Sequence, residues 1–165
     1  RRSVKPDAIT YSAAVSACER STQWPEANGL LSSMRSRRLE PELICCSAAI
    51  SALGKGARWH EALGILLDMR LRRLAPNVIA LNAAISACGN VALWQESLGM
   101  LSEMRQRRCE PTVISYSAAI NACAKGSRWH DAMSMLWDMR LCRLEPNSIA
   151  YTAAISACEK RALWQ

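Results

Sequence analysis

The chain has 165 residues, half of them apolar, and carries 21 Lys and Arg against 14 Asp and Glu, a net charge of +7. That length suffices for a sizeable core, and the basic surplus favours polyanionic partners such as nucleic acid or an acidic membrane surface. No stretch approaches the roughly 18 apolar residues that a membrane-spanning helix needs, the apolar runs being short ones such as Ile65 to Leu67.

Residue 1 is Arg, and no signal peptide or amphipathic targeting segment precedes the first motif, so any targeting sequence is expected outside these residues. Residues 1–7 read as the tail of a preceding unit and close on Pro6-Asp7. A proline returns at Pro41, Pro76, Pro111 and Pro146, each 35 residues from the last, and tryptophan keeps the same period at Trp24, Trp59, Trp94, Trp129 and Trp164. Such a fixed period marks a repeat architecture. The units run 8–42, 43–77, 78–112 and 113–147, with a partial unit at 148–165. Both ends fall within a repeat and no polar capping unit is present, so the natural protein is expected to continue in each direction.

Within each unit the first segment, such as residues 80–88, is Ala-rich with Ile and Cys at helical spacing. The second, such as residues 94–107, puts Leu98, Leu101 and Met104 on one face. Gly54, Gly56, Gly89 and Gly126 are expected to mark the turn between them, and the recurring Pro to end the second helix. Ala14, Ala49, Ala84, Ala119 and Ala154 are small enough for neighbouring first helices to approach closely. The pattern predicts an all-α fold, a right-handed α-solenoid of helix-turn-helix repeats.

The period-35 Trp reads as a packing wedge, because aromatic side chains dominate burial; Trp137 breaks the period and has no assigned place. The clusters at residues 35–38, 70–73, 105–108 and 140–143 supply most of the positive charge and read as solvated cations at helix C-termini. Cys18, Cys88, Cys123 and Cys158 share one repeat position and read as small core residues. Cys45 and Cys46 are adjacent and no C-x-x-C pair occurs, so neither a metal site nor an ordinary disulfide is expected, and no cofactor is implied. His60 and His130 share a position with Pro25, Gln95 and Gln165, which does not suit catalysis, and no phosphate loop or deaminase signature is present. No enzyme activity and no small-molecule substrate is expected.

A 35-residue helical hairpin with Tyr near its start (Tyr11, Tyr116, Tyr151), small residues after it, Met-Arg late in the second helix and Pro-Asp or Pro-Asn at its end resembles the pentatricopeptide repeat (PPR) consensus over essentially the whole chain. The tetratricopeptide repeat has a 34-residue period and a different pattern. The unbroken 35 resembles the pure, P-type class. That resemblance implies a concave groove of first helices that holds single-stranded RNA, one base per repeat. The second residues, Ile9, Ile44, Ile79, Ile114 and Ile149, would clamp the bases, the alternative being ordinary core positions.

The fifth and last residues of each unit would read the Watson–Crick edge, an amide favouring a bare ring nitrogen and an acid a ring N–H. Ser47 with Asn77 and Ser117 with Asn147 resemble the adenine-reading pair, and Asn82 with Thr112 leans to a pyrimidine. Ser12 with Glu42 departs from the family's Asp and suggests guanine by charge alone. Thr152 has no partner in the chain. Residue thirteen is Arg20, Lys55, Asn90, Lys125 and Lys160, so its basic members are expected at phosphates or, alternatively, at the carbonyls of a helix C-terminus. The resemblance implies work on RNA stability, processing or translation in the mitochondrion or chloroplast. The alternative is an accessory helical-repeat subunit that binds protein in a large organellar complex.

Overall fold

A computed structural model of the protein describes residues 6–162, with side chains through Glu159. Residues 1–5 of the leading tail, Trp164, Gln165 and the Lys160 side chain lie outside the described residues. Every regular element described is an α-helix: α1 Ala8–Arg20, α2 Trp24–Ser36, α3 Leu43–Lys55, α4 Trp59–Leu71, α5 Val78–Asn90, α6 Trp94–Gln106, α7 Val113–Lys125, α8 Trp129–Leu141 and α9 Ser148–Ala162. Odd-numbered helices are the first segments of the repeats, and even-numbered helices the second. The chain forms two compact units, Arg1–Ala80 and Leu81–Gln165.

Both helix ends are specified locally. Each second helix closes with a residue in the left-handed region, Arg38, Arg73, Arg108 and Arg143 at φ 58, 59, 56 and 57°. The next residue's N–H then returns to the carbonyl of the recurring Met, as in Leu39 N to Met34 O at 3.0 Å and Leu144 N to Met139 O at 2.8 Å. This is a Schellman closure, which satisfies carbonyls that a helix end otherwise leaves open. The first helices close in the same way on Thr22, Ala57, Ala92 and Ser127.

The expected glycine turns are corrected by this geometry. Gly54 and Gly89 lie within α3 and α5, while Gly56 and Gly126 are C-caps at φ −82 and −80°, a conformation open to any residue. Close approach explains the glycines instead. A Cβ on Gly56 would fall 2.2 Å from Trp24 Cδ1, one on Gly126 2.5 Å from Trp94 Cδ1, and one on Gly89 2.9 Å from the Ala118 carbonyl oxygen.

In the first unit the core is built from Tyr11 and Val15 of α1, Leu31 and Met34 of α2, Ile50 and Leu53 of α3, and Leu66 and Met69 of α4. In the second it is built from Leu101, Met104, Tyr116, Ile120, Leu136 and Met139. Trp24 and Trp94 are half-buried wedges: Trp24 lies against the Gly56 turn with the Arg58 guanidinium 4.6 Å from its ring centre, and Trp94 against Gly126 with Arg128 at 4.3 Å. Successive second helices are also tied by ion pairs, Arg35 to Asp68 and Arg105 to Asp138, each at 2.6 Å. Part of the terminal arginine clusters is therefore paired rather than simply solvated. Of the four equivalent cysteines, Cys88 and Cys123 are buried as expected, whereas Cys18 is half-buried and Cys158 exposed. Cys158 sits on α9, whose helix partners are α7 and α8, so its other side has no cover among the described residues.

Candidate nucleic-acid interface

The last residue of a unit is also the N-cap of the next first helix. Asp7 Oδ1 accepts from the Thr10 N–H at 2.8 Å, Asn77 Oδ1 from Ala80 at 2.9 Å, Thr112 Oγ1 from Ser115 at 3.4 Å and Asn147 Oδ1 from Ala150 at 2.9 Å. Short polar side chains suit this place because they reach an open helix N–H. The contact with Thr10 holds the Asp7 carboxyl below its ordinary pKa. Glu42 has the extended cap backbone, but its side chain makes no cap hydrogen bond.

Capping decides what the amides can offer. With Oδ1 turned to the helix, Asn77 and Asn147 keep their N–H groups for a ligand, and an N–H complements a bare ring nitrogen. The expected partners are together: Ser47 Oγ is 3.1 Å from Asn77 Oδ1, Ser117 Oγ 3.1 Å from Asn147 Oδ1, and Asn82 Nδ2 donates to Thr112 Oγ1 at 3.3 Å. Ser47 and Ser117 also bond the carbonyls of Leu43 and Val113, each at 2.7 Å, which holds their hydroxyls back against their own helices. Burial raises the pKa of the Cys45 thiol, against the opposing effect of the neighbouring Ser12 hydroxyl, and Glu42 is exposed.

The five isoleucines are not core. Ile9, Ile44, Ile79, Ile114 and Ile149 are 78, 67, 62, 62 and 63% exposed, although burying such a side chain gains about 1.5–3 kcal/mol. In the second unit Ile114 and Ile149 border a cavity of about 240 Å³ whose lining includes Ser117, Asn121 and Asn147. A second cavity of about 500 Å³ lies between α7 and α9, lined by Asn121, Lys125, Ile149, Thr152 and Ser156 among others. Each has apolar Ile at its edge and polar side chains in its lining.

Lys55 donates to the Glu19 carbonyl at 3.0 Å and lies 3.8 Å from the Glu19 carboxylate, while Lys125 donates to the Asn90 carbonyl at 3.2 Å. Each lysine thus caps the C-terminus of the preceding repeat's first helix, where a cation is favoured, and remains exposed with further N–H donors. Arg20 is exposed at the end of α1. His60 and His130 are exposed beside Trp59 and Trp129. No group of three His, Cys, Asp or Glu that could hold a metal occurs among the described residues, and no helix among them is long and apolar enough to cross a membrane.

Two features escape a reading with period 35. Lys55-Gly56-Ala57-Arg58 is matched by Lys125-Gly126-Ser127-Arg128, 70 residues on, but not by Asn90-Val91-Ala92-Leu93 between them. The Trp–Gly–Arg sandwiches therefore alternate, and comparing units two apart would have revealed them. Ser115 falls at a position filled in other units by Thr, Cys or Ala, and Asn121 at one filled by Ser, so nothing periodic marks them.

These helical hairpins, repeated with one geometry, place the chain in the class of all-α helical-repeat solenoids. Family comparison matches the PPR repeat at residues 9–39, 44–74 and 114–144 and the PPR repeat family at residues 76–125. The chain belongs to the pentatricopeptide repeat family. It is similar to the pentatricopeptide repeat protein PPR10 in complex with an 18-nt psaJ RNA element, with a TM-score of 0.78 and 21% identity over 99% of this chain and 24% of that one. PPR10 from maize matches with a TM-score of 0.70 and 28% identity over 95% of this chain and 22% of that one. The PPR domain of Arabidopsis thaliana protein-only RNase P 1, in complex with tRNA, gives a TM-score of 0.79 and 12% identity over 90% of this chain and 78% of that domain. This chain thus spans about a quarter of the PPR10 chains. Comparison with curated proteins gave no match.

Proposed function

We propose that the chain binds single-stranded RNA along its first helices, one base per repeat. The observation that carries this reading is the cavity bordered by exposed Ile114 and Ile149 and lined by Ser117 and Asn147. A base is a flat apolar ring with a polar rim, and RNA recognition works by gripping the faces and hydrogen-bonding the edge. The complexes named in the PPR10 and RNase P 1 structures support RNA as the ligand. Asn77 and Asn147, with their oxygens held in caps, suit adenine. Asn82 with Thr112 suits a pyrimidine, and Glu42 with Ser12 suits guanine by charge. The lysines at position thirteen supply backbone attraction. A role in RNA stability, processing or translation in the mitochondrion or chloroplast is proposed from the family resemblance.

Binding to unstructured RNA, followed as salt is varied, tests this reading. Lys55→Ala and Lys125→Ala should each lower affinity and make the salt dependence shallower by about one unit of slope or less. Affinity independent of salt and of both lysines would count against it.

A second reading, an accessory subunit that binds protein, is favoured by the exposed ridge of α8, where Trp137 and Leu141 are 62 and 81% exposed. Trp137→Ser should then abolish partner capture while leaving RNA affinity intact.

A further inference from the structure

Ser115 is fully buried, yet it is neither a fifth nor a last residue of its unit, and its hydroxyl is the centre of a closed network. It accepts the Thr112 N–H at 2.9 Å and donates to Asn82 Oδ1 at 2.5 Å. Its own N–H donates to Thr112 Oγ1 at 3.4 Å, and the two hydroxyl oxygens are 3.2 Å apart. The equivalent residues in the other units are Thr10, Cys45, Ala80 and Ala150. Neither Ala80 nor Ala150 has a hydroxyl to offer the Ser residues at the equivalent of Asn82.

The network consumes acceptors. The carbonyl of Asn82 is held by Ser115, which turns Nδ2 to Thr112 Oγ1 at 3.3 Å. Thr112 Oγ1 receives both that N–H and the Ser115 N–H. With its own proton given to Asn82, Ser115 Oγ can only accept in its 3.2 Å contact with Thr112, so the Thr112 O–H is engaged as well and what is left to donate to a base is the second Asn82 N–H. Cytosine presents a bare N3, whereas uracil presents N3–H, which would confront a donor with a donor. Leaving such groups unpaired is costly at a buried contact.

We propose that Ser115, contributed by the 113–147 unit, is a third, buried specificity-determining residue for the base read by the 78–112 repeat: it fixes the Asn82 amide as a donor and so selects cytosine over uracil. This inference rests on the RNA-binding reading above and adds a residue to it. Ser115 acts through Asn82 and is a positioning residue.

The test measures binding of the whole chain to a set of short RNAs in which the third base is C or U and the second and fourth are A or G. The unaltered chain should prefer C to U by roughly tenfold, the worth of about one hydrogen bond. Ser115→Ala should bring that ratio close to one by releasing the amide to flip, and Ser115→Thr, which keeps the hydroxyl, should restore it. Preference for adenine at the second and fourth bases should survive in every variant.

A C-to-U ratio unchanged by Ser115→Ala, or close to one in the unaltered chain, overturns the assignment while the adenine preference upholds RNA reading. Loss of all base preference in the unaltered chain overturns both. Should Ser115→Ala fail to fold, the heteronuclear NOE of the Asn82 side-chain amide in the unaltered chain decides. An amide as rigid as the backbone supports the role, and a freely rotating one contradicts it.

Discussion

Asn77, Thr112 and Asn147 each stand at a position with two tasks, because the place proposed to meet a base edge also caps a helix. Asp and Asn can both cap. Asn77→Asp and Asn147→Asp should therefore leave the melting temperature nearly unchanged while a carboxylate oxygen replaces the amide N–H. The expected result is a change of preference from adenine to guanine, read by competition binding; an unchanged preference would remove these residues from the site. Glu42 makes no cap hydrogen bond, so Glu42→Asp should raise stability by about 1 kcal/mol, read by denaturant unfolding.

The cysteines give a third test at this scale. Burial pushes the thiols of Cys46, Cys88 and Cys123 up to about 11, and a thiol reacts as its thiolate. At pH 8 the exposed Cys142 and Cys158 should be labelled quickly and those three only on unfolding. Rapid labelling of Cys88 or Cys123 in the folded chain would contradict their placement.

Among the elements, the contact between a second helix and the next turn carries the most specific packing. Because a Cβ on Gly56 or Gly126 would strike the ring of Trp24 or Trp94, Gly56→Ala and Gly126→Ala should each cost about 1–3 kcal/mol as overpacking. Gly64→Ala, where the added Cβ meets nothing within 4 Å, should instead stabilise α4 by roughly 0.5–1 kcal/mol through helix propensity. Equal effects at the two sites would refute the close-approach account.

The elements were legible from sequence because each is written several times over: the Met, the two or three residues beyond it and the Pro fix the end of every second helix. Turn chemistry was less so. Glycine is usually read as freedom of φ, but here the left-handed positions hold Thr22, Ala57, Ala92 and Ser127, and glycine answers to a tryptophan from the preceding repeat. The site was legible to the extent that it is periodic. The Ile series and the Ser–Asn pairs follow the 35-residue repeat, whereas the Ser115 network occurs in one unit and depends on a contact between residues 33 apart in sequence.

At the scale of the molecule, the proposed reading makes recognition cumulative: each repeat would contribute one apolar grip, one or two hydrogen bonds and at most one basic group. Four or five bases form too short a word to select one transcript among many, since selectivity depends on how often a site occurs by chance. Affinity for RNA containing two correctly spaced copies of the word should therefore not exceed that for one copy by more than about the statistical factor of two, unless further repeats or a partner extend the contact.

The most direct measurement is selection of the whole chain on a pool of fully randomised single-stranded RNA at low salt, followed by sequencing of the bound fraction. One base per repeat predicts adenine enriched at two positions separated by one base, the places assigned to the pairs Ser47–Asn77 and Ser117–Asn147, with a pyrimidine between them. A bound fraction with no enrichment, or adenines at any other fixed spacing, would contradict it.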